Sequence, residues 1–515
     1  MRILAERPSL DSVYGSSQRL RAGSVDEAKP SGRGKPFGSG AGVAAAFVAL
    51  ALARGATASR PVSKVHLALP LASDASRMRV GWTSAQGDVL GQGLSVVEWG
   101  ADPRNLTERA LGFNYSWTDT ANPSGLNRTY THNLAEMTGL APGATVFYRV
   151  GDDLDGWSSV FFFTATRNDF GSGGAGAAPP LRVAVLGDMG WSNAQALPYL
   201  QSLAAAGGAD AFFDVGDYGY NLEYRNGEVG DFFQDSIEPI TSTVPFMGCV
   251  GNHEVLWDFV HFTQRFRVFT GNASNSGVTP PDVPGLVGGK PNNHWYSFEV
   301  GAGTPSGVHF VAVSSEAYFY YNATALQYAW LERDLAGVDR SRTPWVVAFT
   351  HRSVYCSCDD DCDADAATLR DGPAGSAGLG LESLLDRHRV DLLINGHEHN
   401  YERNYAVRNG TLATGASSGA PGGNASAPEV LVDPAATVYI VSGCAGDVEQ
   451  HEPFTRPQPA YSAFRSNTFG FGLLEFANAT HLLWTATQTD ASQPETTGTV
   501  TDAMAIVRSA GRPAW

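Results

Sequence analysis

The sequence predicts two folded units in series: an all-β sandwich over residues 61–167, then a large α/β domain over residues 181–510. Three observations carry this. Before residue 167, apolar residues alternate with polar or small ones in short runs punctuated by Gly, Pro and Asn. From Leu181 onward, continuous apolar runs of four to six residues recur, separated by helix-like stretches, as in strands buried on both faces. Finally, five short polar motifs stand at the C-terminal ends of such runs, the edge where α/β sheets carry their sites.

In chain order, residues 1–60 read as a leader. The stretch to about residue 40 is polar and rich in Gly, Ser and Arg. An apolar run, Ala41–Ala53, then follows Arg33 and Lys35 and ends at Ala56-Thr57-Ala58, a small-x-small cleavage pattern. Thirteen residues are too few to span a bilayer comfortably but suit a signal-peptide core, so 41–58 is the expected signal segment. Its distance from Met1 leaves a later start, a signal anchor or a longer targeting leader open. No stable membrane insertion is expected once the leader is removed. In the sandwich, Met78, Val80 and Trp82 share one face, and Leu140–Val150 runs from a Pro-Gly turn into aromatics. That last pattern resembles a late strand of fibronectin type III domains. Residues 168–180, rich in Gly, Ala and Pro, read as a linker. The α/β strands are expected at 182–186, 211–215, 246–250, 309–313, 345–349 and 390–394, with helices at 326–335 and 381–388. Two strands within 470–487 close the domain.

With 515 residues, 43% hydrophobic and 17% charged, the chain has a globular balance and length for several domains. A formal net charge of −17 argues against a nucleic-acid partner, which would want a basic stripe. The five cysteines include three in C-S-C-D-D-D-C (356–362). These read as a small disulfide loop in preference to a metal site, since no second Cys or His pair lies at zinc spacing nearby. Cys249 reads as buried strand packing. Eight sequons, at Asn105, Asn114, Asn127, Asn272, Asn322, Asn409, Asn424 and Asn478, favour a secreted or lumenal glycoprotein.

The motifs are G-D-M-G (187–190), G-D-Y-G-Y (216–220), G-N-H-E (251–254), A-F-T-H (348–351) and G-H-E-H (396–399). Any one alone is weak, because an Asp after a strand is usually a cap or turn residue. Together they offer carboxylates, a phenol, an amide and imidazoles. Such donors suit hard and borderline metals, and two such ions side by side hydrolyse phosphate esters.

In type and order this set resembles that of the purple acid phosphatases, within the calcineurin-like metallophosphoesterases. Gly190, where the larger family usually carries histidine, and Tyr220, closing the second motif, are the choices that mark the purple subgroup. The resemblance spans roughly residues 61–510. It implies an N-terminal fibronectin type III-like β-sandwich followed by an α/β metallophosphoesterase domain of four layers, α/β/β/α. It implies Fe(III) on Asp188, Asp217, Tyr220 and His399, and a divalent metal (Zn, Mn or Fe) on Asp217, Asn252, His351 and His397. The implied activity is acid hydrolysis of small phosphate monoesters by a metal-bound hydroxide, with His253 acting on the phosphate or the leaving group. Glu254 is expected to fix a histidine by hydrogen bonding, and Tyr401, Glu402 and Arg403 to support the ligands. Cys356–Cys362 is the expected disulfide, with Cys358 competing. Two departures stand out. Ala348 replaces a valine, and the stretch 355–362 lacks the histidines that plant members place over the substrate, leaving the leaving-group proton donor undefined. His451 reads as a surface histidine ahead of a substrate contact. A phosphodiesterase or nucleotide pyrophosphatase on the same centre, and a non-catalytic surface glycoprotein, are the alternatives. The motifs define no oligomeric state.

Overall fold

The computed structural model describes residues 62–509, apart from 88–92, 121–126, 173–177, 272–291, 322, 360, 377, 414–415, 419–420, 424–425 and 490–497. The leader with its segment 41–58, and the sequons at Asn272, Asn322 and Asn424, lie outside the described residues. Nine strands come first: β1 (Ser63–Ala68), β2 (Met78–Gly87), β3 (Val96–Gly100), β4 (Glu108–Leu111), β5 (Phe113–Asp119), β6 (Arg128–Met137), β7 (Thr145–Asp152), β8 (Gly156–Trp157) and β9 (Phe161–Thr164). One sheet has the order β1-β2-β6-β5; the other runs β4-β3-β7-β8, with β9 also on β7. The alternation read from the sequence puts Met78, Val80 and Trp82 together in the core.

The remaining chain builds two eight-stranded sheets. The first runs β12-β11-β10-β23-β24-β25-β20-β19. Its parallel part is β10 (Leu181–Leu186), β11 (Ala211–Asp214) and β12 (Phe246–Gly248). The antiparallel part is β23 (Gly470–Asn478), β24 (His481–Gln488) and β25 (Val500–Val507), flanked by β20 (Glu429–Val432) and β19 (Ala416–Ser418). The second sheet runs β13-β14-β15-β16-β21-β17-β18, with β22 (Ser462–Ser466) also on β17. Here β13 is Tyr296–Val300, β14 Val308–Ala312, β15 Trp345–Phe349, β16 Leu392–Asn395, β17 Tyr401–Arg408, β18 Thr411–Leu412 and β21 Val438–Ser442. β14, β15, β16 and β21 are parallel. The two sheets pack face to face through aromatics. Phe213 of β11 stacks on Phe349 of β15 at 3.7 Å between centroids, and Phe476 of β23 meets Phe310 and Trp345. Helices α1 (Leu197–Ala205) and α2 (Glu228–Thr241) flank the first sheet; α4 (Thr324–Ala336), α5 (Cys362–Asp371) and α6 (Leu381–Arg387) flank the second, with the short α3 (Val260–Arg265) between α2 and β13.

The sandwich docks on α2 and its C-terminal end through β1 and β7. The Val65 N–H donates to Glu238 Oε1 (3.2 Å), Thr241 donates to the Val65 carbonyl (2.7 Å), and Tyr148 donates to the Ser242 carbonyl (2.7 Å). Asn105, Asn114, Asn127 and Asn409 are exposed, whereas Asn478 is half-buried and accepts hydrogen bonds from Thr480. No helix among the described residues is long and apolar enough to cross a membrane.

Candidate metal centre

Three parallel strands of one sheet and two of the other end at the same place. Asp188 follows β10, Asp217 and Tyr220 follow β11, Asn252 follows β12, His351 follows β15, and His397 and His399 follow β16. The backbone there is unusual. Asp188 (φ 57°), Asp217 (φ 56°), Tyr220 (φ 52°) and His397 (φ 72°) all adopt the left-handed conformation. Non-glycine residues hold it at a cost of about 1 kcal/mol or more each, and such residues cluster at functional sites. The motif glycines make room: a Cβ at Gly396 would lie 2.2 Å from Asp188 Oδ2, and one at Gly251 would lie 2.2 Å from Asp217 Oδ1.

The predicted ligands converge; all are buried except the half-buried Asn252 and His397. His351 Nδ1 lies 3.0 Å from the Val215 carbonyl, which can only accept, so the proton sits on Nδ1. Its Nε2 faces Asn252 Oδ1 at 2.8 Å and Asp217 Oδ2 at 3.2 Å. Three such groups meeting in a buried site need either a proton on Nε2 or a cation between them. Around Asp188, His399 Nε2 lies 2.7 Å from the Tyr220 hydroxyl and 3.6 Å from Asp188 Oδ1. His397 donates its backbone N–H to the Asp188 carboxylate (3.0 Å), and its ring lies 5.1 Å from that of His351. Electrostatics tell the same story. Burial, then the neighbouring Asp217, pushes Asp188 well above the usual carboxylate range. Burial would also raise Asp217, but His351 and His253 outweigh it and hold the group low. Burial lowers His399 to about 3, which keeps the imidazole neutral and ready as a ligand. Hard carboxylate and phenol oxygens at one end, and amide and imidazole donors at the other, fit two different ions sharing Asp217.

Around these ligands the structure adds residues that the motifs do not contain. His397 Nε2 faces Asp361 Oδ1 and Asp365 Oδ2, each at 3.4 Å, and Arg352 Nη1 at 3.1 Å. Burial and Arg352 would lower the His397 ring, but the two carboxylates outweigh them and raise it well above the ordinary value. The available signals were Arg352 directly after His351 and the acidic run 359–365. His253 is 9% exposed. Its Nδ1 lies 2.8 Å from Asn221 Oδ1, and its Nε2 faces Asp217 Oδ2 at 3.9 Å and Glu449 Oε1 at 3.8 Å.

Several expectations need correction. Glu254 orients no histidine. Its carboxylate accepts the backbone N–H groups of Asp217 (3.0 Å), Tyr218 (3.0 Å) and Gly251 (2.9 Å) and clasps two ligand loops together. Left-handed Asp217 turns those amides inward, where they need an acceptor. Tyr401, Glu402 and Arg403 do not support the ligands directly. Tyr401 (2.7 Å) and Arg403 (2.6 Å) share one face of β17 and reach Asp502 in β25, while Glu402, on the opposite face, accepts from Ser357. His451 is half-buried, with Nδ1 2.6 Å from the His399 carbonyl, so it braces that ligand's backbone. Cys356 and Cys362 are disulfide-bonded, and Cys249 is buried beneath the G-N-H-E loop.

Comparison with known proteins agrees with this geometry. Residues 62–165 match the purple acid phosphatase N-terminal domain, 181–401 the calcineurin-like phosphoesterases, and 436–503 the iron/zinc purple acid phosphatase-like protein C domain. The chain belongs to the purple acid phosphatase family and carries that family's binuclear metal centre. More particularly, it is similar to acid phosphatase type 7 of Danio rerio, 33% identical over 472 residues, covering 88% of this chain and 93% of that one. The Homo sapiens acid phosphatase type 7 is 33% identical over 439 residues, covering 83% and 87%. In fold it matches the purple acid phosphatase PPD1 from yellow lupin seeds, with TM-score 0.64, 21% identity and coverage of 88% and 75%.

Proposed function

We propose that this protein is a secreted or lumenal acid phosphatase acting on small phosphate monoesters. Fe(III) would sit on Asp188, Asp217, Tyr220 and His399, and a divalent Zn, Mn or Fe ion on Asp217, Asn252, His351 and His397. The observation that carries this reading is the convergence of His351, Asn252 and Asp217, whose donor atoms meet within metal-ligand reach at the ends of strands from both sheets. When bound, such a pair of ions neutralises phosphate oxygens and activates water in acid.

The chain's own groups do the rest. The His253 N–H pins Asp217 Oδ1 (2.8 Å) and presents the carboxylate to both ion positions. With Nδ1–H given to Asn221, the exchangeable proton of the His253 ring is the one on Nε2, which faces Glu449 Oε1 at 3.8 Å. That proton can bond the phosphate and pass to the departing alkoxide. His253 and Glu449 thus fill the donor role that the stretch 355–362 lacks. Acid phosphatase names among the relatives support the reading, and the exposed sequons support the location.

The visible spectrum and metal content of the purified protein test it. A phenolate on Fe(III) gives a charge-transfer band, so the protein should be purple or pink and should bleach in Tyr220→Phe. A colourless wild type holding its full metal complement would sink the ferric assignment. Faster cleavage of a diester than of the matching monoester would move the substrate class to phosphodiesters.

A further inference from the structure

A second cluster of metal-ligating atoms lies behind the G-H-E-H loop. The sulfurs of Cys356, Cys358 and Cys362 and a carboxylate oxygen of Glu398 all lie within 4.8 Å of one another, and all four residues are buried. Cys356 and Cys362 are bonded to each other; Cys358 is not in a disulfide. Cys358 Sγ is 2.6 Å from Glu398 Oε2, and Cys356 Sγ is 3.4 Å from Oε1. The local sequence holds three such ligands and lacks a fourth; the fold brings Glu398 from 40 residues beyond Cys358. Ala366, Val441 and Phe454 close the cluster off. Cys362 opens α5, and Arg456 donates to the Cys358 carbonyl, which holds the loop of the cluster in place.

We propose that the reduced protein binds a zinc ion through Cys356, Cys358, Cys362 and Glu398. Tetrahedral zinc with Zn–S of about 2.3 Å places its sulfurs about 3.8 Å apart, an envelope this cluster already occupies. Only the Cys356 and Cys362 sulfurs must part. Two electrons and two protons convert their bond to two thiols. A phosphine supplies the electrons and ends as its oxide, with oxygen from water; a dithiol would end as a disulfide. Zinc then displaces three thiol protons to solvent. In the oxidised protein two of the four ligands are tied up and the site does not form. Because Glu398 stands between His397 and His399, filling this site also fixes the loop that carries two ligands of the binuclear centre.

Cobalt(II) reports the difference between the two sites. Thiolate ligation gives an intense near-ultraviolet band, whereas the binuclear centre has only oxygen and nitrogen donors and gives none. Full-length protein treated with a phosphine and titrated with Co(II) should gain this band, together with one metal ion per chain beyond the untreated protein. In Cys358→Ser the affinity should fall by more than about 10-fold, since even outer partners of a metal ligand are worth that much. A measurement on the wild type alone guards against misfolding of the variant. After reduction, zinc should slow alkylation of all three thiols, counted by mass spectrometry. The proposal is overturned if the reduced wild type gains no thiolate band and its thiols stay reactive in zinc, or if Cys358→Ser binds as tightly as wild type.

Discussion

Asp217 is the residue on which the centre turns. One oxygen is pinned by the His253 amide and the other faces His351, while Glu254 holds its backbone. Asp217→Asn weakens a ligand to both ions at once, so elemental analysis should show both metals falling together, with activity lost. His253→Ala removes no ligand. It should keep both metals and lower kcat by about 10²- to 10⁴-fold, the usual worth of a positioned proton donor. If His253→Ala instead arrived without metal, the ring would act structurally, through its 3.9 Å contact with Asp217 Oδ2, and not as the proton donor. Gly396→Ala tests the space argument. Its methyl would press on Asp188 Oδ2, so metal content should drop while the distant sandwich stays folded.

Between elements, the buried contacts join the two sheets. Arg403 of β17 pairs with Asp502 of β25 and Glu429 of β20, and all three side chains are shielded from water. Arg403→Met leaves two carboxylates buried without a counter-charge. It should cost about 3–5 kcal/mol, read as a fall in Tm, with metal content per folded chain unchanged. Here the sequence and the structure part company. The ligand-bearing loops were legible because each follows a short apolar run and carries its own donors, as with Asp188 after β10 and His351 after β15. Patterns of period 2 and strand-end motifs are local. The partners of Glu254 are backbone amides in another loop, and no side-chain pattern announces them. Asp502 lies 101 residues from Tyr401, so the destination of the Y-E-R segment depended on how β17 and β25 meet. The division of the parallel strands between two sheets is likewise a matter of topology, and a run such as 345–349 reads the same in either sheet.

For the whole molecule, pH acts through histidines remote from the centre. His66, His132, His261 and His294 lie at or near the seam between the sandwich and the α/β domain. Burial, as the main cause in each, lowers them to about 4, 3, 4 and 3. The unfolded chain takes up protons below about pH 6.5 and the folded chain does not, so their contribution is complete above 6.5 and lost as pH falls toward 3–4. Each can remove up to about 1.4 kcal/mol per pH unit in that window. His309 is the opposite case. Asp334 and Glu299 outweigh its burial and raise it to about 9, so its stabilisation is complete below 6.5 and lost as pH rises through 9. Thermal melts should therefore show stability falling on both sides of neutrality. His309→Asn should flatten only the alkaline side and His66→Phe only the acid side; an unaltered acid slope in His66→Phe would remove that residue from the account.

The ligands come from the ends of strands in both sheets, spread along the chain from Asp188 to His399. Two ions held there would act as cross-links. They would tie together segments about 200 residues apart, a closure that for a disulfide is worth about 5 kcal/mol of unfolded-chain entropy. Chelation would then do more than silence catalysis. It would unfasten one sheet from the other, so the stripped protein should melt earlier and over a broader range, and pulling its ends apart should take less force. The same ions that handle phosphate would be fasteners of the fold, and a cell short of metal would meet the loss first as turnover of the protein.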